Sequence, residues 1–162
     1  MLNQASASGI GPARILIVDD HPNTASTLAR ILGQTETPVE ILTAQTGREA
    51  LALIGDNAID ILIADYRMPG MNGLELIAKL KTSQARLYTI LITAYDTARL
   101  TTLAQTLKVD DYLIKPIQPE IIRAIVNRVL AERQPSLPTR GRGAGGNAET
   151  ADELTSIPPH AQ

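Results

Sequence analysis

Five short apolar runs, each ending on polar residues and followed by an amphipathic stretch, set the rhythm of this chain. Arg14, Ile15, Leu16, Ile17 and Val18 form a run rich in β-branched residues that stops at Asp19 and Asp20. A run of this kind, without polar alternation, predicts a strand buried on both faces. Residues 21–23 open a helix with Ala25, Leu28, Ile31 and Leu32 on one face and Gly33 at its close. Residues 39–44 predict a second strand. Thr46 and Glu49 then have capping-box spacing ahead of Ala50, Leu51 and Ile54, with Gly55 expected as the stop.

The third strand ends on Asp65, inside a stretch (59–73) whose second half is punctuated by Pro69, Gly70 and Gly73. Asn72 and Glu75 repeat the capping spacing before a helix that turns Leu74, Ile77 and Leu80 inward. Residues 87–93 predict the fourth strand, and Asp96 is expected to cap a fourth helix reaching about residue 107. Residues 111–114 predict the fifth strand, ending at Lys115 and Pro116. Pro119 suits the first position of a last helix, whose stripe is Ile121, Ile122, Ile125, Val126, Val129 and Leu130.

Strand–helix alternation of this length predicts an α/β fold, a doubly wound five-stranded parallel sheet with helices on both faces. Residues 1–12 are small and polar and are expected to be disordered, residues 13–133 form the domain, and residues 134–162 read as a disordered Pro/Gly-rich tail. The tail contains a literal G-x-G-x-x-G at 141–146, but it follows no strand and opens no helix, so it is expected to be linker.

Ligands of open parallel sheets bind beyond the carboxyl ends of the strands, where strand order reverses. If the order is 2-1-3-4-5, that point lies between the first and third strands. Asp19, Asp20 and Asp65 then converge there, with Thr93 at the end of strand four and Lys115 at the end of strand five. Clustered carboxylates repel, and a hard cation resolves the repulsion; oxygen-only ligands favour Mg²⁺ completed by a phosphoryl oxygen. A carboxylate nucleophile, a magnesium ion and a positioned amine together make phosphoryl transfer onto Asp65 chemically sensible.

Composition narrows the field. The 162 residues carry a formal net charge of −2 and 44% hydrophobic residues, which points away from nucleic acid or an anionic membrane as the main partner. There is no cysteine, which excludes disulfides and thiol catalysis. No apolar run approaches the roughly 18 residues that span a bilayer, and the amino terminus lacks a signal-peptide pattern, so a cytoplasmic location is expected.

These residues, in this order and spacing, resemble a response-regulator receiver domain of two-component signalling, of the single-domain type. The signals are Asp19-Asp20, Asp65 with Met68-Pro69-Gly70-Met71-Asn72-Gly73, Thr93-Ala94, and Lys115-Pro116. The resemblance covers roughly residues 13–133 and implies the flavodoxin-like order used above. It implies that Asp65 is the phosphoacceptor, with Lys115, the Thr93 hydroxyl and the Ala94 backbone amide as donors to the phosphoryl group. Mg²⁺ would be held by Asp20, Asp65 and the Arg67 backbone carbonyl, with Asp19 acting through water. Thr93 and Tyr112 would form the switch, the Lys115–Pro116 peptide is expected to be cis, and the altered surface would be helix four, strand five and helix five.

The implied partners are a sensor histidine kinase or phosphotransfer protein and an unidentified downstream protein, with no direct DNA binding and no membrane insertion. A phosphorylation-dependent homodimer is also within what the resemblance implies. The chain is read as a phosphoacceptor and not a turnover enzyme: an aspartyl-phosphate phosphatase of the haloacid-dehalogenase type needs a second Asp where this chain has Arg67. Arg67 and Tyr95 lie two residues beyond Asp65 and Thr93, at positions that in the family influence phosphoryl lifetime, and bulky Tyr95 is expected to lengthen it. Lys108-Val109 departs from the Gly-Ala frequent before the family's fifth strand. The alternatives are a degenerate receiver docking without phosphorylation, and the receiver part of a larger regulator.

Overall fold

The computed structural model describes residues 11–133. The tail with its glycine-rich 141–146 stretch, and residues 1–10 of the expected amino-terminal segment, lie outside the described residues. Strands β1 (Ala13–Val18), β2 (Val39–Ala44), β3 (Ile61–Asp65), β4 (Tyr88–Thr93) and β5 (Asp111–Ile114) alternate with helices α1 (Pro22–Leu32), α2 (Gly47–Asp56), α3 (Gly73–Ser83), α4 (Ala98–Thr106) and α5 (Pro119–Arg133). All strand pairs are parallel, in the order β2-β1-β3-β4-β5. The doubly wound parallel sheet predicted from the alternation is observed, and its strand order is the flavodoxin-like one that the resemblance implies.

The apolar runs explain the layers. Successive side chains of a strand point to opposite faces, so each central strand feeds two cores. Ile15, Ile17, Ile61, Ile63, Ile90 and Ile92 pack against α1 and α5 through Leu28, Leu32, Ile122 and Val126. Leu16, Val18, Leu62 and Leu91 pack on the other face against α2, α3 and α4 through Ala50, Leu76, Ile77 and Leu100. Every residue of β3 is buried. Full burial of each such aliphatic side chain is worth about 1.5–3 kcal/mol, so a shift of the register would be costly. Register is what sets the site: Val18 is opposite Ala64 and Thr93 opposite Ile114, so Asp19 and Asp65 leave the sheet at one level, with Lys115 just past β5.

Local expectations mostly survive, with three corrections. Gly55 does not end α2; the helix runs to Asp56 and Asn57 closes it, its backbone N–H on Ile54 O at 3.2 Å and its side-chain amide on Leu53 O at 2.7 Å. Thr97, not Asp96, caps α4, its hydroxyl accepting from Leu100 N at 3.2 Å. Ile121 leaves the α5 stripe and is 46% exposed, because Ile122, Val126, Val129 and Leu130 already fill the face toward the sheet. The α3 capping box forms in full between Asn72 and Glu75. Among the described residues, no helix is long and apolar enough to cross a membrane.

Candidate functional site

Asp65 is the last residue of β3, and its backbone is held from two sides. Tyr66 N donates to Ile92 O at 2.7 Å, which extends the β3–β4 pairing past the acid. The loop then returns through Gly70, at φ +80°, a left-handed conformation that glycine adopts without strain. Gly73 N donates to Tyr66 O at 3.0 Å, closing the loop. A Cβ at Gly73 would stand 2.4 Å from the Asp65 carbonyl oxygen, so α3 can start against the acid's own backbone only with glycine there. In the sequence Gly73 reads only as loop punctuation. A glycine directly after an asparagine cap, where helix propensity favours almost any other residue, was the available signal for a close approach.

The remaining residues arrive from neighbouring strand ends. Asp19, 2% exposed, accepts from His21 N at 2.8 Å as the chain turns into α1. Lys115, after β5 and preceding a cis bond to Pro116 as expected, places Nζ 2.8 Å from Asp65 Oδ1 and 3.3 Å from Asp19 Oδ2. Asp65 is 6% exposed. Burial raises its pKa above the ordinary carboxylate value, and Asp19 and Asp20 add to the rise against the opposing pull of Lys115. Burial works to lower the Lys115 ammonium, but Asp65 and Asp19 outweigh it, and its pKa lies above the ordinary lysine value.

Asp19, Asp20 and His21 bring potential ligand atoms within 4.8 Å of one another. Asp20 Oδ1 is buried and accepts no hydrogen bond, although His21 Nδ1 stands 2.9 Å away. A buried carboxylate oxygen without a partner is costly, and a hard cation is the natural occupant of such a position. The carboxylate oxygens of Asp19 and Asp20, though not the His21 imidazole, are of the kind that suits Mg²⁺.

Thr93 is 1% exposed, and its hydroxyl is engaged with one neighbour: it accepts from Tyr95 N at 3.0 Å and donates to Tyr95 O at 3.1 Å. Tyr112, half-buried, donates to the same Tyr95 carbonyl at 3.3 Å. Burial raises the Tyr112 pKa, helped by the charge of Asp96, so its hydroxyl stays a donor. Asp20, His21, Asp65, Arg67, Ala94, Tyr95 and Lys115 line one cleft of about 320 Å³. A larger groove of about 740 Å³, between Thr46–Arg48 and the β3–α3 loop, includes none of Asp19, Asp20, Asp65 or Lys115. The chemistry gathers in the smaller cleft. Of the expected residues, Asp19, Asp65 and Lys115 touch directly and Asp20, Arg67 and Ala94 line the same space, whereas Thr93 and Tyr112 meet one step away at Tyr95.

Residues 15–127 match the family model of the response regulator receiver domain. The response regulator MprA of Mycolicibacterium vanbaalenii is 33% identical over 148 residues, 91% of this chain and 61% of its own length. The chain thus spans less than two thirds of that relative. A CheY-like response regulator receiver domain protein from Methanospirillum hungatei is similar in structure, with a TM-score of 0.68 and 29% identity over 75% of this chain and 96% of that one. The signal receiver domain of a signal transduction histidine kinase from Syntrophus aciditrophicus gives a TM-score of 0.69 and 28% identity, covering 76% and 94%.

Proposed function

The chain belongs to the response regulator receiver domain family of two-component signalling, and we propose that it is a phosphorylation-controlled switch with Asp65 as its phosphoacceptor. The observation that carries this reading is the Lys115 ammonium bridging Asp65 and Asp19 inside the cleft. An ionised, buried carboxylate beside a fixed cation is a nucleophile with charge compensation already in place. The donor is the phosphohistidine of a sensor histidine kinase or phosphotransfer protein. An Asp65 oxygen forms the new bond to phosphorus while the P–N bond breaks, and the imidazole leaves with the bonding electron pair.

Asp19, Asp20, Asp65 and the Arg67 backbone carbonyl would hold Mg²⁺, which when bound supplies positive charge to the acidic cluster and the phosphoryl oxygens. Lys115 neutralises one phosphoryl oxygen, and the Ala94 amide and Thr93 hydroxyl offer further donors. For Thr93 to reach the phosphoryl group it must leave both of its bonds to the Tyr95 backbone. A charge-assisted hydrogen bond is roughly twice as strong as a neutral one, which favours the exchange. The freed Tyr95 carbonyl then keeps Tyr112 as its donor, linking the site to β5. Leu103, Ile114 and Ile121, on α4, β5 and α5, are 41%, 46% and 46% exposed and support that surface as the one that meets a downstream protein or a second copy of the chain. The protein acts as a phosphoacceptor in the cytoplasm, not as a turnover enzyme.

Incubation with acetyl phosphate and Mg²⁺ tests the reading. Wild type should gain base-labile, acid-stable phosphate and Asp65→Asn should not; no uptake by wild type removes phosphorylation and leaves a docking module. The span of 61% of MprA favours a second reading, in which this receiver works inside a longer regulator. Immunoblotting the native protein for size tests it, and a species no larger than 17.4 kDa would exclude it.

A further inference from the structure

The groove of about 740 Å³ takes no part in the chemistry of the cleft. One side is the first turn of α2, with Gly47 and Arg48; the other is the β3–α3 loop, with Pro69 and Met71, continued by Glu75 and Lys79 of α3. Met71 is half-buried and joins the two sides: a Cβ on Gly47 would stand 2.9 Å from its Sδ, so the thioether lies against the backbone of α2. A methionine side chain adapts readily to an incoming apolar group.

The charge that this groove leaves free is positive. Arg48 and Lys79 are both exposed, and neither makes an ion pair among the described residues. Glu75, the acid on the same side as Lys79, is turned to the backbone, its Oε2 accepting from Asn72 N at 2.9 Å in the capping box. The amino end of α2 adds partial positive charge. A segment with several carboxylates and an apolar side chain beside them matches this surface.

The chain itself carries such a segment, outside the described residues. After Arg142 there is no lysine or arginine; the acids are Glu149, Asp152 and Glu153, followed at once by Leu154 and then by Ile157. Its tether starts at a fixed point. Arg133, the last residue of α5, donates to Asp60 O at 2.8 Å and pairs with the Asp60 carboxylate, at the amino-terminal edge of the sheet. The groove lies at the carboxyl-terminal edge, on the face covered by α2 and α3. One strand height is about 20 Å, whereas residues 134–148 span about 50 Å when extended. The acids can therefore reach the groove.

We propose that residues 149–157 dock in this groove, with their carboxylates on Arg48 and Lys79 and Leu154 on Met71. Exposed ion pairs are weak singly, which favours the chain's own segment over a second copy: a tether holds it at an effective concentration in the millimolar range. The docked segment covers the outer side of the loop that follows Asp65 and leaves the cleft of Asp65 and Lys115 open. The contact needs no phosphoryl group on Asp65.

The full chain has no cysteine, so Ser156→Cys accepts a single nitroxide label, and amide resonances of the isotope-labelled protein report which residues the label approaches. Selective broadening is expected at Arg48, Gly70, Met71 and Lys79, independent of protein concentration. Reversing the groove (Arg48→Glu with Lys79→Glu) should cut that broadening by about three-fold or more, and so should reversing the segment (Glu149→Lys, Asp152→Lys and Glu153→Lys), which leaves the described domain untouched. Combining both reversals should restore it. Broadening that is absent from the groove, or that survives reversal of the segment, overturns the proposal. Broadening that appears equally when labelled chains act on separate isotope-labelled chains assigns the groove to a second copy and overturns docking within the chain.

Discussion

Thr93 and Tyr112 donate to one and the same acceptor, the Tyr95 carbonyl, at 3.1 and 3.3 Å. The two hydroxyls are therefore coupled without touching. A carbonyl oxygen that loses one partner depends more on the other. Thr93→Val should cost about 1–2 kcal/mol in urea unfolding, since it strips two hydrogen bonds from the Tyr95 backbone. Tyr112→Phe should cost more in that background than alone, by about 0.5 kcal/mol. Strictly additive losses would mean that the hydroxyls act independently.

Gly73→Ala brings a side chain within 2.4 Å of the Asp65 carbonyl oxygen. Backbone on both sides must shift, and overpacking of this kind costs about 1–3 kcal/mol. The same shift displaces Asp65 from Lys115. Lower stability together with slower phosphate uptake is the expected outcome; normal uptake would show that the loop can yield without moving the acid.

Lys108, where the sequence departs from the family's usual glycine, adopts a left-handed φ of 53°. It closes α4, with Lys108 N on Gln105 O at 3.0 Å and Val109 N on Ala104 O at 2.9 Å. A non-glycine residue pays roughly 1–2 kcal/mol in this conformation, part of which glycine returns as unfolded-state entropy. Lys108→Gly should raise stability by about 0.5–1 kcal/mol. A drop in melting temperature would mean that the lysine side chain contributes more than its backbone costs.

Asp65, with a pKa above the ordinary value, binds its proton more tightly folded than unfolded. Its ionisation thus opposes folding at neutral pH, and the penalty fades as pH falls through the folded pKa toward the ordinary one. Without Mg²⁺, Asp65→Asn should be more stable than wild type near neutrality, with the advantage shrinking on acidification. Mg²⁺ should stabilise wild type, by about 2.7 kcal/mol at a hundred times its Kd, and Asp20→Asn should lose most of that gain. Denaturant titrations across pH, with and without Mg²⁺, read all three.

What the chain revealed on inspection was whatever local pattern determines. Unbroken apolar runs marked the strands, and once strand order was assumed, their polar ends marked Asp19, Asp20, Asp65, Thr93 and Lys115. Choices between adjacent residues with similar chemistry were less legible: Asp96 and Thr97 are both good caps, and the backbone of the β4–α4 loop decides for Thr97. Contacts between loops were not legible at all. The Arg67–Tyr95 contact, the sharing of the Tyr95 carbonyl and the approach of Gly73 to Asp65 depend on how loops from different strands meet in space.

The switch stands or falls with Asp65 as the carrier of the phosphoryl group. Intact-mass measurement after incubation with acetyl phosphate and Mg²⁺, followed by reduction of the acyl phosphate and peptide mapping, tests it most directly. One added phosphoryl mass is expected on wild type, its site mapped to Asp65, and none on Asp65→Asn. An unchanged wild-type mass, or a phosphoryl group that persists in Asp65→Asn, would contradict it.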